Sequence, residues 1–100
     1  MVVPGMNLEF FEGSDFRIRL KNFGEMKGLI VGHLAKWPNS GTEICSGLRE
    51  LRLPVGKQMY VVLFRRNGQR VALVDVFEIP RQETELNVAL KSLRERYCKD

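Results

Sequence analysis

Apolar residues along this chain switch between two spacings, and the switches divide it into seven predicted elements. Asn7 to Phe11 (NLEFF) is a short apolar run closed by Glu12-Gly13-Ser14, which reads as a strand, and Ser14-Asp15 then offers an N-cap to a following helix. Phe16-Arg17-Ile18-Arg19-Leu20 alternates strictly, a pattern that also suits the second strand of an N-terminal hairpin; strand followed by helix is the preferred reading. Met26, Leu29, Ile30, His33, Leu34 and Trp37 fall at helical spacing, and Pro38-Asn39-Ser40-Gly41 stops the element, so a helix is predicted over 25–37. Gly28 and Gly32 lie four apart inside it and imply close packing against a neighbour.

Leu48 to Leu53, Met59 to Phe64 and Val71 to Phe77 are rich in β-branched and aromatic residues and are separated by Pro54-Val55-Gly56 and Asn67-Gly68. They predict an antiparallel meander. A two-residue type I′ turn at Asn67-Gly68 would pair Arg66 with Gln69, Arg65 with Arg70, Phe64 with Val71 and Val62 with Leu73. That register places Tyr60, Val62, Phe64, Val71, Leu73 and Asp75 on one face. Both faces are mostly apolar, so each needs at least partial cover. After Pro80, Leu86, Ala89, Leu90, Leu93 and Tyr97 recur at helical intervals, with Glu83 and Glu85 in the first turn and Arg94 and Arg96 in the last. The predicted fold is α+β: an N-terminal strand and two helices packed on an antiparallel β-meander, followed by a C-terminal helix.

One hundred residues, 44% hydrophobic, suit a single domain with one modest core, with residues 1–6 expected to be a disordered or non-native leader. Between Leu48 and Arg81 seven cations (Arg49, Arg52, Lys57, Arg65, Arg66, Arg70, Arg81) stand against Glu50, Asp75 and Glu78, a surplus equal to the formal +4 of the whole chain. Positive charge on a sheet suggests a polyanionic partner. Cys45 and Cys98 have neither zinc-site nor disulfide-framework spacing, so reduced thiols and no metal or cofactor are expected. No apolar run approaches the roughly 20 residues that span a bilayer, and Met1 to Met6 lacks the features of a signal peptide, so a cytoplasmic location without membrane contact is expected.

This order of elements, together with LAKWPNSGTEICSGLRELRLPVGKQMYVVLFRR and the later VALVDVFEIPRQETELNVAL, resembles the RelE/ParE superfamily of bacterial toxin–antitoxin toxins, in particular its HigB-like branch. The pieces that carry the resemblance are Leu34, Pro38 and Gly41 (L-x-x-x-P-x-x-G), the strand Gly47 to Arg52 (GLRELR), and the tyrosine-led strand Tyr60 to Phe64. The resemblance implies a RelE-like fold, a cognate antitoxin as partner, and an mRNA interferase that cleaves ribosome-bound mRNA by attack of a ribose 2′-hydroxyl on the adjacent phosphate. That chemistry needs a proton acceptor, cations at the phosphorane and an acid for the leaving oxygen.

On the residues matching the family pattern, Arg52 and Arg81 would bind and neutralise phosphate and Glu50 would act as base, with Arg49, Lys57, Arg65, Arg66 and Arg70 as further nucleic-acid contacts. Glu50 equally suits a salt bridge with a neighbouring arginine. Arg65 and Arg70, predicted to face each other beside the turn, would either splay into water or hold an anion between them. One departure is specific: nuclease members usually carry Tyr-Arg where this chain has Tyr60-Val61, and Arg65 on the same face is about 13 Å further along the strand. Tyr-Val suits the ParE branch, whose target is DNA gyrase, or an inactive member that only binds its antitoxin. His33, Trp37 and Tyr60 are read as core or boundary residues, and Asp75 as a carboxylate that needs a basic partner.

Overall fold

The computed structural model describes residues 8–21, 25–80 and 83–98. Expectations for the leader 1–6, for the choice between Met1 and Met6 as start, and for Arg81 lie outside the described residues. The chain is α+β. Strand β1 (Glu9–Glu12) leads into helix α1 (Ser14–Leu20) and helix α2 (Met26–Lys36). Strands β2 (Thr42–Cys45), β3 (Leu48–Val55), β4 (Gln58–Asn67) and β5 (Arg70–Pro80) come next, and helix α3 (Glu83–Tyr97) closes the chain. All predicted elements are present, and the ambiguous stretch Phe16 to Leu20 is helical. One strand escaped prediction: β2, whose four residues TEIC have too few apolar positions to show a period. Gly13, not Ser14, is the N-cap of α1, and no side chain caps that helix.

The sheet is mixed, in the order β1-β5-β4-β3-β2, with β1 parallel to β5 and the other neighbours antiparallel. Two clusters make the core. Phe16, Met26, Ile30 and Leu34 of α1 and α2 pack on Leu51, Val62, Phe64, Val71, Leu73 and Val76, while Leu90 and Leu93 of α3 cover Leu48, Val61, Leu63 and Ile79 on the other face. Helices on both sides explain why the meander strands are apolar on both faces.

The β4–β5 turn lies one residue later than expected, which moves the pairing by two residues: Arg66 faces Val71 and not Gln69. Asn67 pairs with Arg70, so Gly68 and Gln69 form the turn, with Gly68 at φ 61° and no described non-glycine residue at positive φ. A type I′ turn needs positive φ at both central positions, which Gln69 does not adopt; glycine at the first position alone fits type II′. The ladder then shifts between Leu63 and Phe64, where Phe64 pairs with Leu73 and Leu63 with Asp75, leaving Val74 as the extra residue of a bulge. The shift reverses the facing of the β5 residues beyond it. Val76 joins the cluster under α1 and α2, whereas Asp75 moves away from the Tyr60–Val62 face to the side of Leu63. Gly13 donates to the Leu73 carbonyl at 2.8 Å, and a Cβ there would lie 3.0 Å from the same oxygen, so a larger residue would push the start of α1 and the bulge a few tenths of an ångström apart.

Gly28 and Gly32 do not serve close packing, because an added Cβ at either position meets nothing within 4 Å. Replacing either by alanine is therefore expected to raise stability by about 0.5–1 kcal/mol, through higher helix propensity and a less flexible unfolded chain. Urea unfolding of Gly28→Ala and Gly32→Ala measures the effect; a loss of stability would mean that the exposed face of α2 is misassigned. Trp37, expected in the core, is 51% exposed at the end of α2. The His33 ring lies tilted against it with centroids 4.9 Å apart, and the histidine is half-buried, between core and surface.

Cys45 and Cys98 form a disulfide, with Cα atoms 5.7 Å apart, which corrects the expectation of reduced thiols. No local motif announces this pairing. Only the fold brings the end of β2, an edge strand, beside the residue that comes after α3.

Candidate functional site

The basic residues of the meander separate into three groups because strand alternation sends neighbours to opposite faces. Arg49 and Arg66 lie on the α2 side and hold the loop between α2 and β2. Arg49 donates to the carbonyl oxygens of Gly41 at 2.8 Å and Asn39 at 3.4 Å. Arg66 donates to the Pro38 carbonyl, to Asn39 Oδ1 at 3.0 Å and to the Gly68 carbonyl at 2.9 Å. These contacts make both guanidinium groups part of the scaffold. Lys57 sits apart, exposed in the β3–β4 turn at the opposite end of the strands.

The second group lies on the α3 side. Glu50 is 4% exposed, and its Oε1 accepts a hydrogen bond from Arg52 Nε at 2.9 Å. Its Oε2 is 3.7 Å from Arg94 Nε and accepts no hydrogen bond. The salt bridge weighed from sequence is therefore present, with a second arginine beside it. Arg52 and Arg94 are each roughly half-exposed, so a buried carboxylate holds two cations at the surface. Glu50 itself is shielded from a ribose hydroxyl, which a general base must reach within hydrogen-bonding distance. Arg94 was not among the residues singled out from sequence, although the signal was there: it lies four residues after Leu90 and borders the same inward stripe of α3.

The third group is the open end of the sheet at the β4–β5 turn. Arg65 pairs with Ala72 and Arg70 with Asn67, so the two arginines share a face but do not oppose each other as predicted, and the expected repulsion between them falls away. Arg65 donates to the Ser46 carbonyl at 3.2 Å, and Arg70 lies 3.9 Å from the exposed Glu9 carboxylate. Phe11 of β1, opposite Ala72, is exposed at the rim of a cleft of about 490 Å³ that these arginines line. Phe11 was assigned only to a strand by the sequence. Nothing there could reveal that α3 stops short of it.

Asp75 is fully buried and has the basic partner expected for it, Arg19 of α1, whose Nε is 2.8 Å from Oδ1 without the alignment of a hydrogen bond. Val76 N–H donates to Oδ1 at 2.8 Å, and the Tyr97 hydroxyl donates to Oδ2. Burial, then this bond to Asp75, pushes the Tyr97 hydroxyl up to about 12. The Arg19 guanidinium also lies 4.4 Å above the Phe77 ring. This cluster ties α1 and the end of α3 to the bulge of β5 and is structural.

Among the described residues no group of three or more His, Cys, Asp or Glu side chains could hold a metal ion, and no helix is long and apolar enough to cross a membrane. No protein-family model matches the chain, and no curated protein matches it either.

Proposed function

We propose that this protein is the toxin of a RelE/ParE-type toxin–antitoxin pair, of the HigB-like branch, and that it stops translation by cleaving ribosome-bound mRNA in the cytoplasm. The observation that carries the reading is buried Glu50 between Arg52 and Arg94, which holds two guanidinium groups, one from β3 and one from α3, together at the surface. Preorganised cations of this kind stabilise the charge that builds up on a phosphate under attack by a 2′-hydroxyl. In this mechanism Arg52 and Arg94, with Arg81 of the sequence-derived set, contact the scissile phosphate. Glu50 positions the arginines, and the ribosome completes the acid–base chemistry. A formal charge of +4 also suits steering towards an acidic antitoxin segment.

Purified protein freed of antitoxin is expected to cut mRNA only when ribosomes are present. Arg52→Ala or Arg94→Ala is expected to lower kcat by about 10²- to 10³-fold, in line with removal of one donor to a transition-state anion. Primer extension on the mRNA reads the cuts; intact message with folded wild-type protein would overturn the reading.

One observation favours a second reading, a non-cleaving inhibitor of DNA gyrase or a member that only binds antitoxin. Val61, where nuclease members usually carry arginine, is fully buried with Leu90 and Leu93 of α3, so no cation can be presented from that position. Inhibition of gyrase supercoiling without mRNA cleavage would support the first form, and expression without growth arrest the second. A disulfide is characteristic of oxidising compartments, so the cytoplasmic assignment rests on the toxin reading alone.

A further inference from the structure

The most unusual surface of the molecule is the end of the sheet that α3 leaves bare. Phe11, Ala72 and Arg65 stand in one cross-strand row on β1, β5 and β4, and Arg70 lies two residues before Ala72 on the same face. Phe10, its neighbour on β1, packs against the core under α1 and α2, whereas Phe11 remains 50% exposed. Neighbouring strands are about 4.8 Å apart, so Phe11 and Arg65 stand about 10 Å from each other across the small side chain of Ala72. Ala72 is exposed between them, so no large side chain of β5 fills the space beside Phe11.

We propose that this open end of the sheet is a stacking site for single-stranded RNA, in which one base lies on Phe11 and the neighbouring phosphates are held by Arg65 and Arg70. The inference rests on the reading of the protein as RNA-directed and deepens it. Two kinds of group are needed to hold an unpaired strand, an uncovered aromatic ring for the base and cations for its phosphates, and both occur here on rigid backbone. A duplex keeps its bases inside the stack and would leave Phe11 uncovered. A run of acidic side chains would use the arginines but has nothing of its own to lay on Phe11, whereas each nucleotide brings a base together with its phosphate. Among the described arginines of the meander, Arg65 and Arg70 have the lightest commitments, one carbonyl contact for the first and the 3.9 Å approach to exposed Glu9 for the second. A phosphate can replace that approach.

Fluorescence anisotropy of the full chain, disulfide intact, with a labelled oligouridylate of about 12 nucleotides tests the site without ribosomes. Phe11→Ala is expected to weaken binding roughly tenfold with the salt dependence unchanged, and Phe11→Trp to restore it. Arg65→Gln and Arg70→Gln should each weaken binding and lower the slope of log K against log salt by about 0.7. Ile18→Ala, which removes an exposed apolar side chain on α1, should bind as wild type. Circular dichroism establishes that each variant is folded.

The proposal is overturned if wild type does not bind the oligonucleotide, if Phe11→Ala binds as tightly as wild type, or if blunt duplex RNA shows the same dependence on Phe11. It is also overturned if an oligoglutamate peptide, and not RNA, is the ligand whose binding depends on Phe11. Ribosome-dependent cleavage that survives alongside any of these results leaves the toxin reading standing. Stacking on Phe11 with no cleavage removes the nuclease reading and leaves this site in place.

Discussion

Reduction of the Cys45–Cys98 disulfide is expected to destabilise the fold by about 4 kcal/mol. The two cysteines are 53 residues apart, and the chain-entropy relation for cross-linked loops assigns about that much to a closed loop of this length. The loop takes in β3, β4, β5 and α3, so the reduced unfolded chain regains freedom over more than half of the molecule. The folded state also changes, because α3 is then held by Leu90, Leu93 and neighbours on the sheet, by Tyr97 on Asp75 and by Arg94 beside Glu50. Urea unfolding with and without a phosphine reductant measures the difference, and Cys45→Ser with Cys98→Ser should reproduce it in the absence of reductant. A change below about 1 kcal/mol in both experiments would show that the cross-link adds nothing that the packing of α3 does not already provide. The outcome bears on function, since Arg94 stands beside Glu50 only while α3 lies on the sheet.

Arg19→Met is expected to cost about 3 kcal/mol, and more than Asp75→Asn. The asymmetry comes from burial: Asp75 is fully buried and Arg19 is partly exposed, so loss of the arginine strands a carboxylate that water cannot reach. Two hydrogen bonds remain to it, from Val76 N–H and the Tyr97 hydroxyl, and they hold the loss to the lower end for a broken buried pair. Asparagine at position 75 keeps an acceptor for the bulge and leaves a guanidinium that can turn to solvent. Thermal or urea unfolding of the two variants should rank them in this order; equal losses would mean that Asp75 is better hydrated than its burial implies.

The same cluster predicts a response to high pH. The Tyr97 hydroxyl titrates at about 12 in the fold against an ordinary value of 10.0, so the native state holds its proton more tightly than the unfolded chain. This contribution to stability is complete below about pH 10 and disappears as the pH rises through about 12. Tyr97→Phe should remove that part of the alkaline loss, which urea unfolding across this pH range would measure.

The helices and the three long strands were legible because their apolar periods are strong. Leu90 and Leu93 on α3, or Val62 and Phe64 on β4, can satisfy their spacing only by facing a core. β2 was illegible for the converse reason, as Thr42 and Glu43 are exposed and the strand is held by backbone pairing to β3. At the site, the pairing of Arg52 with Glu50 could be anticipated, since residues two apart on a strand share a face. For Arg94 only its place beside the inward stripe of α3 was legible; which carboxylate it meets depends on where α3 crosses β3.

By itself the sequence determined the α+β class, the meander, the opposite facing of Arg49 and Arg52, and the need of Asp75 for a cation, all consequences of spacing and burial that act over a few residues. Tertiary structure alone decided the rest. A turn that needs one left-handed residue slid the β4–β5 register, a bulge at Val74 then turned Asp75 towards α3, and the path of the chain brought Cys45 to Cys98. Which cations remain available to a ligand was decided in the same way. Arg49 and Arg66 are bound to loop carbonyls, Arg52 and Arg94 are tied to Glu50, and Arg65 and Arg70 line a cleft at the sheet end beside exposed Phe11. Long-range packing sets these outcomes, and local pattern carries no record of it.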